Sequence, residues 1–182
     1  YDLRSEYLDA GYSEEETAEF DRGDTIEAIE EALLGLGYET VRIGHARDLI
    51  AQLTKGKRWD LVFNICEGMF GLGREAQVPA ILDMYQIPYT FADPRGMCVC
   101  LDKGVTKTVV GAAGVSTPRC VVVDSMSRVR EALALRFPLF AKPVAEGTGK
   151  GVTPSSRVSN GAELETVCEQ LLHRFHQPFL VE

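Results

Sequence analysis

Apolar and polar positions alternate along the chain in two rhythms, one helical and one strand-like. Ile26, Ile29, Ala32, Leu33 and Leu36 recur at three- and four-residue spacing, with Glu27, Glu30 and Glu31 turned the other way. This predicts an amphipathic helix that Gly37 ends. Ser13 and Glu16 ahead of it match a capping box. Residues 1–8 read as the tail of a strand, 38–43 alternate with period two, and 60–65 form a short apolar run of the buried-strand kind. Helices are predicted over 46–53 and 74–85, and a short strand over 87–90. Strand and helix thus alternate through residues 1–90, which argues for a parallel sheet with helices on both faces. Ligands bind such sheets beyond the carboxyl ends of the strands, so the loops after Leu8, Ile65 and Thr90 form the expected functional edge.

The rhythm changes near Asp93 and Pro94, where a domain boundary is expected. An apolar stretch at 97–101 leads into a predicted helix over 102–113 and a turn at 114–118. Then follow a strand (119–123), a helix capped by Ser125 (125–135), a strand (139–142), a glycine-rich loop (146–151), a helix (161–175) and a last strand (179–181). No internal repeat or low-complexity segment interrupts this order.

Composition narrows the function classes. The chain has 182 residues, 45% of them hydrophobic and 25% charged, as an ordinary globular protein has. No apolar run approaches the ~20 residues that span a bilayer. Residues 1–40 hold thirteen Asp or Glu against two Lys or Arg, a net of −11, so the other 142 residues carry about +3 of the overall −8. No basic stripe of the kind that binds nucleic acid is present. The five cysteines form no C-x-x-C pair and are expected as buried free thiols of a reducing, cytoplasmic setting. Trp59 reads as a packing residue, and His173 with His176 as a solvated helix end.

The chemistry concentrates at residues 137–151, F-P-L-F-A-K-P-V-A-E-G-T-G-K-G. An apolar strand delivers Lys142 at its end, Pro143 is expected to stop the ladder, and a loop with three glycines in five residues follows. Glycines let backbone N–H groups turn together toward a ligand, and lysine is a compact cation for phosphate oxygens. Taken alone, the stretch also fits a surface hairpin with a charged tip. It is not a Walker loop, because Gly149-Lys150 is followed by Gly151 and Val144 stands five before Gly149. With no apolar anchor of its own, the loop is expected to be mobile. Gly71-Leu72-Gly73-Arg74-Glu75-Ala76 matches G-x-G-x-x-A, but five residues separate it from Ile65, where a dinucleotide fingerprint needs the first glycine at the turn itself.

In order along the chain stand Asp102-Lys103, the turn Ala113-Gly114-Val115-Ser116-Thr117-Pro118, Phe140-Ala141-Lys142-Pro143, Glu146-Gly147-Thr148-Gly149-Lys150-Gly151 and Leu180-Val181-Glu182. This conjunction resembles the ATP-grasp pattern. Residues 60–65, Glu67-Gly68, Gly73-Arg74-Glu75-Ala76, Pro79-Ala80-Ile81-Leu82-Asp83 and Ile87-Pro88-Tyr89-Thr90 resemble the N-terminal domain of D-alanine–D-alanine ligases. The resemblance implies an α/β chain: a Rossmann-like parallel-sheet domain over 1–94, then the first α+β lobe of an ATP-grasp fold over 95–182. It implies an ATP-dependent ligase that joins two amino acids through an acyl phosphate and makes a peptidoglycan precursor. The alternatives are an ATP-grasp ligase of another specificity and a non-catalytic nucleotide-binding module.

By the same resemblance, Lys103 and Lys142 contact ATP, and Glu146, Gly147, Gly149, Lys150 and Gly151 form the loop that closes over the triphosphate. Thr148 supplies the catalytic hydroxyl, and Glu182 opens the hinge that holds adenine. Glu19, with Glu16 as rival, holds the first substrate's ammonium, and Glu67 stands where the family often has histidine. Gly149 replaces the usual second serine of the loop. Mg²⁺ is implied as a cofactor, with its ligands expected downstream of these residues; the chain itself is expected to supply none and to be inactive alone. Small amino acids and ATP are the expected partners, and a homodimer is compatible with the pattern.

Overall fold

The computed structural model describes residues 1–182, which divide into two units, Tyr1–Cys98 and Val99–Glu182. In the first unit, α1 (Arg4–Asp9), α2 (Gly23–Gly35), α3 (Ala46–Thr54) and α4 (Gln77–Met84) are followed by α5 (Pro94–Leu101), which runs across the boundary. The core gathers Leu49 and Leu53 of α3, Val78 and Leu82 of α4, and Val62, Cys66 and Ile87, with Trp59 and Tyr89 packed against it. His45 caps α3: its Nδ1 accepts from the Asp48 N–H at 3.3 Å while the Asp48 carboxylate accepts from the His45 N–H at 3.2 Å.

Three of the four strands predicted for this unit, 38–43, 60–65 and 87–90, form no ladder. Parallel pairing is limited to single bridges, Val62 with Tyr89 and Leu3 with Asp21. The Val62 N–H donates to Pro88 O at 2.9 Å and the Thr90 N–H to Val62 O at 3.0 Å. Residues 1–8 are not a strand tail: after Leu3 the chain winds into α1. There Tyr7 packs on Phe20 with ring centroids 4.4 Å apart and donates to Asp2 at 2.6 Å. The predicted stripe of α2 is also corrected. Ile26 is buried, Ile29 and Leu33 are half-buried, and Ala32 and Leu36 are exposed. Helical spacing buries side chains only where another part of the chain packs on them, and over the second half of this stripe Ala32 and Leu36 are left open.

The second unit continues with α6 (Lys103–Ala112), β1 (Val121–Val123), the short α7 (Val129–Ala132), β2 (Leu139–Pro143), β3 (Arg157–Val158), α8 (Gly161–Phe175) and β4 (Phe179–Val181). The strands lie in the order β1-β4-β2-β3, with every neighbouring pair antiparallel. Side chains alternate across a strand, so this sheet has two different faces. Val123, Leu139, Ala141, Phe179 and Val181 turn to one face and pack on Leu164, Val167, Cys168 and Leu171 of α8. Leu180 turns to the other, in a cluster with Leu101, Val144 and Ala145 that Val122 joins. Gly104 near the start of α6 lets the helix approach that face, since a Cβ there would lie 2.6 Å from a Val122 methyl.

Three local expectations change. Pro143 does not stop the ladder: it sits opposite Phe179, and pairing runs on to the Val144 N–H, which donates to Pro178 O at 3.1 Å. The N–H groups of Phe140 and Val144 face β4, so the imide nitrogen of Pro143 points the other way and no ladder bond is lost. Ser125 makes no capping bond; its hydroxyl is held by Asp124 and Ser127, and only a 3₁₀ turn precedes α7. Of the cysteines, Cys66 and Cys168 are buried and Cys120 is half-buried, but Cys98 and Cys100 are exposed thiols. No helix is long and apolar enough to cross a membrane.

The two environments of leucine in the first unit predict opposite responses. Leu82→Ala, at a fully buried position, should cost about 2–5 kcal/mol in urea unfolding. Leu36→Ala, at a position 74% exposed, should change stability by no more than about 0.5 kcal/mol.

Candidate functional site

In the second unit the strand alternation sorts the polar residues. Lys142 lies opposite Leu180 in the β2–β4 register, and Glu182 follows two residues on, so both leave the sheet on the face turned away from α8. Phe140 and Glu182 exchange backbone hydrogen bonds at 2.7 and 3.0 Å, which fixes the end of β4 beside β2. Lys142 Nζ then reaches Glu182 Oε1 at 2.6 Å, and Lys107 Nζ from α6 reaches Oε2 at 2.5 Å. Lys107 is itself held by Pro118 O at 2.9 Å. Burial opposes ionisation of Glu182, but the hydrogen bonds from Lys107 and Lys142 outweigh it and hold the carboxyl below the usual carboxylate range.

Lys103 stands just inside the start of α6, whose cap Asp102 accepts from the N–H groups of Gly104 and Val105 at 2.8 and 2.9 Å. Its Nζ donates to the carbonyls of Glu146, at 2.5 Å, and Val144, at 3.2 Å. The glycine loop is therefore tied at its root. Glu146 and Lys150 form an ion pair of 2.8 Å within the loop. Thr148, Gly149 and Gly151 adopt positive φ of 45°, 77° and 76°. Only Thr148 and Gly149 are exposed; Glu146, Gly147, Lys150 and Gly151 are half-buried.

The expectation of a loop without an apolar anchor is corrected. A Cβ on Gly151 would lie 2.5 Å from the Pro143 ring and 2.8 Å from the Phe175 ring, so the backbone rests directly on those two side chains. What remains free is the two-residue tip. The resulting set of donors is four lysine side chains and a loop of left-handed turns, with Glu182 as acceptor. Cations and turned N–H groups of this kind suit an anionic, phosphate-like ligand. Lys107 was not singled out as a site residue by sequence reasoning, although its place one turn after Lys103 on the same helix is the signal that finds it.

The first unit holds a separate group. Glu19 and Arg74 form a nearly buried pair, Nη2 to Oε2 2.5 Å, with side chains 4% and 8% exposed. Glu67 and Glu75 belong to the same group. Burial, and then the charges of Glu75 and Glu19, push the Glu67 carboxyl up to about 7, against a smaller opposing pull from Arg74. Glu16, the rival of Glu19, is exposed and accepts from the Ser13 backbone and hydroxyl at 2.9 and 2.7 Å. The paired bonds of the expected capping box form, but they close a run of turns, and α2 begins only at Gly23, after Arg22, which makes no side-chain cap. The Glu67 and Gly68 N–H groups both donate to the buried Asp2 carboxylate at 3.0 Å. Arg74 and Asp2, the residues that fix this group, lay outside the site as read from sequence.

No family model matches the chain. It is 33% identical over 178 residues to the D-alanine–D-alanine ligase of Actinobacillus pleuropneumoniae, a match that covers 96% of this chain and 55% of that protein. Among solved structures, the VanG D-Ala:D-Ser ligase from Enterococcus faecalis is 28% identical with a TM-score of 0.57, over 68% of this chain and 35% of that one. The D-alanine–D-alanine ligase from Bacillus anthracis complexed with ATP has a TM-score of 0.62 over 80% of this chain and 47% of its own; at 22% identity it speaks for the fold alone. The chain spans about half the length of the curated relatives it matches. These neighbours are ATP-grasp enzymes, and the antiparallel sheet of the second unit agrees with them. On a sequence match that runs through 96% of its residues, the chain belongs to the D-alanine–D-alanine ligase family.

Proposed function

We propose that the chain supplies the amino-acid and nucleotide sites of an ATP-dependent carboxylate–amine ligase that joins two amino acids, D-alanine to D-alanine in the first reading. The observation that carries it is Glu182 gripped between Lys142 and Lys107, beside a glycine loop rooted on Lys103. In this reading residues 95–182 are the first lobe of the grasp. Lys103 and Lys142 face the phosphates and the adenine, and Glu182 accepts from the adenine amino group. The backbone of Gly147, Gly149 and Gly151, the Lys150 ammonium and the Thr148 hydroxyl close over the triphosphate. Residues 1–94 are the preceding amino-acid-binding domain. The parallel bridge of Val62 with Tyr89, between the predicted strands 60–65 and 87–90, is the pairing that supports a Rossmann-like domain here.

ATP supplies the phosphoryl group that activates a carboxylate for attack by an amine. What these residues contribute is position and neutralisation of charge. Mg²⁺ does not fit the residues present. It needs several oxygen ligands in near-octahedral geometry, while the only carboxylate on the loop, Glu146, is engaged by Lys150 and Gln177.

A ligase for a different first amino acid is the second reading, and Glu67 favours it. A carboxylate pushed up to about 7 stands where the family often has histidine, next to Glu19 and Glu75. Release of ADP from the whole protein, measured over a panel of D- and L-amino acids, separates the two readings. Release with none of them would remove the ligase proposal.

Two outcomes follow from the assignments. Lys142→Ala should raise the Michaelis constant for ATP at least about tenfold, which corresponds to about 1.4 kcal/mol; an unchanged constant sinks the assignment. Glu67 is neutral below about pH 7 and ionised above it, and an ionised Glu67 attracts the first substrate's ammonium. The Michaelis constant for that substrate should therefore fall as pH rises through this range, and Glu67→Gln should flatten the dependence. A profile identical in the two proteins would exclude Glu67 from the substrate site.

A further inference from the structure

Between α8 and β4 the chain has three residues, His176, Gln177 and Pro178, in which to reverse direction. His176 takes the left-handed conformation, φ 49°, and its N–H closes the helix on Leu172 O. This turn sets Gln177 beside the exit of β2. Its amide spans two consecutive residues at the root of the glycine loop. Oε1 accepts from the Ala145 N–H at 3.0 Å, and Nε2 donates to Glu146 Oε1 at 2.6 Å. The backbone donor decides which end of the amide is oxygen, so the end facing Glu146 is the donor. The second Glu146 oxygen lies 2.8 Å from Lys150 Nζ, and the Glu146 carbonyl receives Lys103 Nζ. The Glu146 side chain is 9% exposed and that of Lys150 15%. A nearly buried carboxylate is directed by its hydrogen-bond partners.

We infer that Gln177 is a positioning residue of the nucleotide site, which sets the direction of the Glu146 carboxylate and through it the place of Lys150 over the triphosphate. The inference rests on the nucleotide-binding reading above. Lysine is a point charge on a flexible stem, and it binds phosphate well when another group fixes its place. A glutamine at 177 meets both demands at once, an acceptor for Ala145 and a donor for Glu146. Glutamate at 177 meets only the first.

That difference gives the test, made in the whole protein at pH 8 by calorimetric titration with ATP and with adenosine. Gln177→Ala and Gln177→Glu should each weaken ATP binding about tenfold and leave adenosine binding within about twofold, with an unchanged circular dichroism spectrum. In a Lys150→Met background the loss on changing Gln177 should shrink to within about twofold, because residues that act through one another are not additive. A Gln177→Glu protein that binds ATP as the wild type does would overturn the inference, since a residue that only supports the Ala145 backbone keeps its function as glutamate. Equal losses for adenosine, losses independent of Lys150, or loss of the fold in Gln177→Glu would overturn it too. A wild-type protein that binds neither ligand fails earlier, at the nucleotide-binding reading itself.

Discussion

The alternation of side chains along β2 and β4 is the constraint from which the second unit follows. Leu139, Ala141, Phe179 and Val181 turn toward α8 and make the larger core, which commits Phe140, Lys142 and Leu180 to the opposite face. A slip of one residue in this register would bury Lys142 under α8 and expose Ala141. Lys142 thus owes its place beside Glu182 to the apolar residues on either side of it. Pro143 fits the same scheme. Its missing donor falls where β4 requires none, so the strand runs on into the glycine loop with its last turn pinned on Pro143 itself.

Charge in each unit departs from balance in an opposite sense. Around the sheet, Lys103, Lys107, Lys142 and Lys150 face two carboxylates, Glu146 and Glu182. The excess of cations, set against partly buried walls, raises the local affinity for an anion. Each lysine already has an oxygen partner at 2.5–2.8 Å, so in the proposed nucleotide site a phosphate would exchange partners with them and would not meet bare charges. Exchange of this kind keeps the desolvation cost of the lysines low before the ligand arrives. In the first unit Glu19, Glu67 and Glu75 gather around Arg74. That excess of carboxylate suits an ammonium, and it adds to burial, the larger cause, in raising the proton affinity of Glu67.

Local signals were the most legible in the sequence. The helix over 161–175 and the strand over 179–181 were placed to the residue, because Asn160 caps one end of α8 at Glu163 and the chain reverses in three residues after the other. The glycine loop and its lysines were legible for the same reason, as a strand, a proline and closely spaced glycines. What depended on distant partners was not. Period-two alternation at 38–43 produced extended chain without a ladder, and the apolar stripe of α2 stayed half open. Arg74 gave no local sign that it reaches Glu19, 55 residues away. Gln177 likewise lies 31 residues from Glu146, and Lys107 lies 75 from Glu182 (182 − 107).

The departures from the family pattern fall at different depths of the site, and physical chemistry ranks them. Gly149 replaces a serine at the exposed tip of the loop, where a backbone N–H in a left-handed turn still faces a ligand and only one hydroxyl is lost. Lys150 beside it is paired with Glu146 within the same loop. Glu67 is the weightier change, because it puts a half-buried acid where the family often has an imidazole and sets it among two further carboxylates. A carboxylate in that position disfavours a second anion and favours a cation or a hydrogen-bond donor. On the assignments proposed above, selection of the first amino acid is where this chain has most room to differ from its relatives, because Glu67 changes the charge of its group while the cluster of Lys107, Lys142 and Glu182 carries no such departure.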